Sequence, residues 1–147
     1  MIGAGGWRID PADAMGRVFG YTVLDDVSSR DEWLDGDQWL LGKSMNGFCP
    51  IGPWIVTADE LDPGDRRLGT TINGIAIQDG RTADMRFSIP ELIAFLSRHL
   101  TLSSGDVIAT GTPARLPGPI GPGRHLEAGD VVTAWIDGIG ELTTTIA

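Results

Sequence analysis

The sequence predicts a β-rich α+β fold, with short strands joined by tight turns and one helix packed against them. Three observations lead there. Twenty-one Gly and nine Pro cut the chain into short segments, the punctuation of a domain built from strands and turns. Asn73-Gly74 lies between two apolar stretches, and an Asn-Gly pair suits the positive φ angles of a type I′ hairpin. One segment, roughly Ile89 to His99, combines a start signal with the apolar period of a helix.

Taken in order, Asp10-Pro11-Ala12-Asp13 reads as an N-cap, a Pro at the first helical position and an acid in the first turn. A short helix to about Val18 is expected. Phe19 to Leu24 reads as a strand with Asp25-Asp26 at its exit. Leu68 to Ile72 and Ile75 to Gln78 are the arms of the hairpin. Ser88-Ile89-Pro90-Glu91 is a capping box, and Ile89, Leu92, Ile93 and Leu96 form the buried stripe of the helix it opens. Asp106 to Thr110 and Asp130 to Ile136 read as strands, and Asp137-Gly138 turns into a last strand from Glu141 to Ile146. Between them, Ala114 to Arg124 interleaves Pro117, Pro119 and Pro122 with glycines, which predicts an irregular surface loop over a site. No internal repeat or linker appears, so residues 1–147 are expected to form a single domain.

Composition narrows the function. A hydrophobic share of 41% against a charged share of 21% describes a folded globule. No apolar run approaches the roughly 20 residues of a membrane helix, and Met1 to Gly6 lacks the basic start and apolar stretch of a signal peptide. A cytoplasmic protein is expected. Cys49, the single cysteine, agrees with a reducing compartment. Its place between Phe48 and Pro50 predicts a buried structural thiol. The net charge of −9 argues against nucleic acid as a partner. Ten of the 11 basic residues are Arg, which singles out Lys43, the only lysine.

Other candidate sites lack support. Ile2-Gly3-Ala4-Gly5-Gly6 has Arg8 where a dinucleotide fingerprint needs its third glycine, and no βαβ unit follows. Gly118, Gly121 and Gly123 are interleaved with Pro, which removes the N–H groups a phosphate cradle uses. His99 is placed to meet the carbonyls at its helix end. His125 has no Ser, Cys or Asp at a triad spacing. The informative block is Gly20 to Asp31, Gly-Tyr-Thr-Val-Leu-Asp-Asp-Val-Ser-Ser-Arg-Asp. On residue types alone it is either a solvated turn, with Asp26 capping a short helix over Val27 to Asp31, or a divalent-metal carboxylate with an Arg partner.

A resemblance decides between these readings. The block is similar to the "GYTVxNDVSARD" segment of the fumarylacetoacetate hydrolase superfamily. Further similarities follow in order. Gln38 to Ser44 resembles "QWxxGKS", and Phe48 to Thr57 resembles "FCPLGPWIVT". Asn73-Gly74, Gln78, Thr82 and Met85 match "NGxxxQxxxTxxM". Ser88 to Leu96 matches "SxxELIAFLS", Gly105 to Pro113 matches "GDVIxTGTP", and Leu126 to Val132 resembles "LxxGDVV". Together these motifs cover nearly the whole chain.

The resemblance implies a mixed, mainly antiparallel β-roll with one packed helix. It also implies a metal-dependent hydrolase, decarboxylase or isomerase acting on 2-oxo or β-diketo acids. Acylpyruvates, oxaloacetate and 2-hydroxyhepta-2,4-diene-1,7-dioate are of that type, and a Mg²⁺- or Mn²⁺-stabilised enolate is the shared intermediate. Carried over, Asp26 is a metal ligand and Arg30 organises the carboxylates around it. Lys43 donates to the substrate oxyanion. Thr112 and the backbone of Gly111 hold the substrate carboxylate, and Gln78 is a further substrate-side contact. Homodimers or a partner chain are also implied.

There are departures from the family pattern. Its other metal carboxylates come from a Glu-x-Glu strand and its water-activating groups from a lid, both upstream of the stretch that Met1 to Gly6 resembles. The expectation is therefore a domain without its N-terminal strands, binding metal weakly or not at all unless those acids are supplied. Asp35-Gly36-Asp37 and Glu60-Leu61-Asp62 imitate the spacing from expected loops. Trp33 replaces a polar residue, and Arg115 stands where a Gly is common. The alternative is a catalytically incomplete relative that serves as a subunit or small-acid-binding module.

Overall fold

The computed structural model describes residues 1–29, 38–120 and 124–147. Arg30, Trp33 and the Asp35-Gly36-Asp37 spacing lie outside the described residues. The order of elements is α1 (Pro11–Ala14), β1 (Gly20–Leu24), β2 (Ile51–Thr57), β3 (Arg67–Ile72), β4 (Ile75–Arg81), α2 (Ile89–His99), β5 (Val131–Ile136) and β6 (Gly140–Thr145). β1 and β2 form a two-stranded ribbon, and the other strands form a sheet in the order β4-β3-β5-β6. Every one of these pairings is antiparallel. The expected β-rich class is therefore the observed one.

Local chemistry accounts for most boundaries. The β3–β4 turn places Asn73 at φ 51° and Gly74 at φ 78°, the positive angles that the type I′ turn requires. Glu91 closes its half of the capping box by accepting the Ser88 backbone N–H at 2.7 Å. The first helix is shorter than expected. Asp10 caps it through Ala12 N at 2.9 Å, but after Ala14 the chain tightens into a 3-10 turn, Met15–Arg17.

Two expectations fail in opposite directions. β2 is a strand that no turn or period signal marked in the sequence. Pro53 interrupts it, and the ladder absorbs the interruption as a bulge, stepping from Tyr21↔Val56 to Val23↔Gly52. Thr22, opposite the bulge, donates its hydroxyl to Gly52 O at 3.3 Å. Conversely, Asp106 to Thr110 is not a strand. Ile2 N donates to Asp106 O at 2.8 Å, but Val107 to Thr110 has no ladder partner among the described residues. A run of strand-forming residues does not make a strand without a neighbour to pair with.

Two apolar centres hold the molecule together. Ile93 and Leu102 meet Ile2, Ile9 and Ala14 beneath α2. Val23, Leu61, Ala134 and Ile139 fill the space between ribbon and sheet. The buried face of α2 differs from the stripe expected. Ile93, Ala94 and Ser97 are its buried residues, with Ile89 and Leu96 packed at the margin. Ser97 is tolerated at 0% exposure because its hydroxyl accepts Ile9 N–H at 3.0 Å and donates to Ala94 O at 3.2 Å. No described helix is long and apolar enough to cross a membrane.

Candidate active site

A cleft of about 1000 Å³ lies between the two apolar centres, lined by residues of both. Its first polar group forms where β1 ends. The ribbon ladder runs one residue past Leu24, with Asp25 N donating to Pro50 O at 3.1 Å, and then breaks. Val27 to Ser29 is not helical, so Asp26 caps no helix there. Instead, Ser29 N donates to Gly42 O at 2.8 Å, which pins the 3-10 turn Leu41–Lys43 beside the exit of β1. The turn delivers the Lys43 ammonium to the Asp26 carboxylate as a hydrogen-bonded ion pair. Their side chains remain 30% and 50% exposed, respectively, so the pair sits in the wet mouth of the cleft, where such contacts add little stability.

The second polar group comes from β4 and the loop after Thr110. Gln78 donates its amide N–H groups to Thr112 Oγ1 at 2.7 Å and to Pro113 O at 2.9 Å. Because the Thr112 oxygen accepts from Gln78, its own O–H can donate to another acceptor. Gln78 therefore holds Thr112 in place while itself lining the cleft. Gly111 precedes at φ 104°, a backbone angle that favours glycine. Asp26, Lys43, Gln78, Gly111 and Thr112 all line the one cleft. Arg30 lies outside the described residues.

Asp25, expected only as part of the acidic strand exit, stands where the matched motif carries Asn. It lines the cleft, and burial, then the charge of Asp26, raises its carboxyl above the usual carboxylate range. Among the described residues no three His, Cys, Asp or Glu side chains gather as a metal site. The described residues therefore supply an aspartate toward an ion but not a complete ligand set.

The remaining candidates fall elsewhere. Cys49 is exposed, at φ 56°, which corrects the expectation of a buried thiol: the sharp bend into β2 turns it outward. His99 packs edge-on against Phe95, 5.1 Å between ring centres, while Leu100 N closes the helix onto Leu96 O. His125 is exposed. Glu60 lies in the turn after β2, and Asp62 accepts Gly64 N at 2.9 Å, so this spacing is structural.

Comparison with known proteins adds an independent line. The family model described as fumarylacetoacetate (FAA) hydrolase C-terminal matches residues 1–147. The fumarylacetoacetate hydrolase of Exiguobacterium antarcticum is 42% identical with a TM-score of 0.92, over 99% of this chain and 53% of that one. A 5-carboxymethyl-2-hydroxymuconate delta-isomerase from Mycobacterium smegmatis is 39% identical with a TM-score of 0.87, over 99% and 55%. A maleylpyruvate hydrolase from Sphingobium sp. SYK-6, in complex with manganese(II) and pyruvate, is 33% identical with a TM-score of 0.84, over 100% and 51%. The chain spans about half the length of the curated relatives it matches.

Proposed function

The chain belongs to the fumarylacetoacetate hydrolase family, and on that premise we propose that its cleft is the substrate-polarising part of an enzyme site for 2-oxo or β-diketo acids. One observation carries the proposal. A single cleft holds the only lysine, an aspartate paired with it, and a threonine hydroxyl held by the Gln78 amide. Lys43 has three N–H donors. With one on Asp26, the others meet no side-chain partner among the described residues and can serve an oxyanion developing on the substrate, where a preorganised donor is most effective. Thr112 and the Gly111 backbone take the carboxylate end.

Asp26 is proposed as one ligand of a Mg²⁺ or Mn²⁺ ion. The rest of the ligand set would come from a further segment or a partner chain, a second copy included. The manganese and pyruvate in the Sphingobium maleylpyruvate hydrolase support that pairing of ion and oxo acid. A second reading, a catalytically incomplete subunit or small-acid-binding module, is favoured by the lack of a three-ligand cluster among the described residues.

A Mn²⁺ titration of the purified chain, with and without oxalate as an enolate mimic, separates the two. Oxalate-dependent binding in the micromolar range that disappears in Asp26→Ala supports the enzyme. Absence of binding up to several millimolar, the regime of weakly ligated sites at about 10⁻⁴–10⁻³ M, sinks that reading for this chain and leaves the subunit.

A further inference from the structure

From the way the loop after Thr110 docks on β4, we infer that Arg115 is a specificity-determining residue. Its guanidinium receives a second carboxylate at the far end of the substrate, so that dicarboxylic 2-oxo acids are preferred to monocarboxylic ones. The inference rests on the reading of this cleft as an oxo-acid site.

β4 is the edge of its sheet, and the loop covers that edge as an added strand would. Leu116 N donates to Ile77 O at 2.8 Å, and Gln78 and Arg115 form an antiparallel bridge. Pro113 lies against Gly80 so closely that a Cβ there would fall 2.7 Å from the proline ring. The position of Arg115 is thus set by main-chain pairing. Directly opposed residues of an antiparallel pair project to the same face, with Cβ atoms about 4.5–5.5 Å apart. Gln78 uses that face to hold Thr112, so Arg115 emerges beside the proposed carboxylate-binding hydroxyl. Both line the cleft.

Charge supports the same assignment. Of the other side-chain cations in the cleft lining, Lys43 and Arg81 are paired with Asp26 and Asp65, and Arg66 is anchored through its Nε–H on the Asp62 carbonyl at 2.6 Å. Arg115 has no carboxylate among the described residues. It gives one N–H to the neutral Ile120 carbonyl at 3.2 Å, a bond that an incoming carboxylate, accepting two parallel N–H groups from the guanidinium fork, readily outcompetes. The lining also carries Asp25, Asp26, Asp79 and Asp84. A dianion entering past these acids needs a cation to meet its second charge.

The test compares 2-oxopentanoate with 2-oxopentanedioate, acids of equal length that end in a methyl and a carboxylate. Each is titrated calorimetrically into the full chain with Mn²⁺ present. The diacid is expected to bind roughly tenfold tighter or more, the worth of a charge-assisted pair. Arg115→Gln should bring the ratio close to one without changing the monoacid affinity, and Arg115→Lys should keep part of the preference. Equal binding by the parent chain, or an undiminished preference in Arg115→Gln, overturns the inference while leaving the oxo-acid reading in place. If neither acid binds, the oxo-acid reading fails and the inference falls with it.

Discussion

Two aspartates in this chain are withdrawn from water and respond in opposite ways. Asp130, only 5% exposed, accepts Arg124 Nη1 and Nη2 at 2.8 and 2.9 Å, Glu127 N at 2.9 Å and Asn73 Nδ2 at 2.7 Å. The Arg124 fork first, then the Glu127 and Asn73 donors, hold its carboxyl well below the usual carboxylate range. Asp25 is pushed the other way, by burial and then by the charge of its neighbour Asp26. Burial alone therefore does not decide what a carboxylate does; the donors around it do. Around Asp130 every requirement is met, and the result is architecture: the β3–β4 turn, the chain after Arg124 and the start of β5 are tied at one point. In the cleft, charges of like sign are crowded and half wet, the arrangement found where a protein keeps groups available for chemistry.

The largest effect on stability should follow from Asp130→Asn. The amide would turn N–H groups toward existing donors and leave Arg124 without its counter-charge, lowering the melting temperature by roughly 10 °C. Ligand titrations of the folded variant should be unchanged. A melt within a degree or two of the parent would remove Asp130 from its structural role.

In the cleft the pattern should invert. Lys43→Met is expected to abolish most oxalate-dependent Mn²⁺ binding or turnover yet shift the melt by no more than about 2 °C, because a half-exposed ion pair adds little. Intact binding with an unchanged melt would take Lys43 out of the site. Asp25→Asn should raise the melting temperature at neutral pH by about 1–3 °C, since it removes a desolvated charge beside Asp26. A lower melt would mean that the carboxylate has a partner it needs.

The smallest and most specific effect concerns pH. Asp130 has a folded-state pKa below its unfolded value of about 3.9. Its contribution is therefore fully present above that pH and lost as pH falls toward the folded value. The gap in melting temperature between the parent and Asp130→Asn should stay constant from pH 7 to 5 and narrow below about pH 4. A gap that narrowed between pH 7 and 5 would contradict the sign of the shift.

Local signals carried much of this fold. Asn73-Gly74, Ser88 to Glu91 and Asp137-Gly138 each marked a boundary by backbone chemistry that acts within four residues, and the structure keeps all three. Failures occurred where pairing or burial over long distance decided the outcome. β2 was hidden by Pro53 until β1 offered a partner that tolerates a bulge. Asp106 to Thr110 had the composition of a strand but no partner among the described residues. Asn73 was legible as a turn residue, yet its side-chain grip on Asp130 spans 57 residues and left no local trace.

For the site, the motif resemblance selected Asp26, Lys43, Gln78, Gly111 and Thr112, and the structure brings them to one cleft. Residue types and spacing by themselves established a β-rich chain with one capped helix, a singular lysine and an acidic strand exit. Periodicity, turn chemistry and composition are properties of neighbours in sequence. The tertiary structure alone decided that Lys43 meets Asp26 across 17 residues and Gln78 meets Thr112 across 34. It also decided that burial and the neighbouring Asp26 raise the Asp25 carboxyl above its usual range, and that Arg115 stands opposite Gln78. Each of these depends on which distant backbone segment lies alongside, and that is settled only when the ribbon, the sheet and the loop pack against one another.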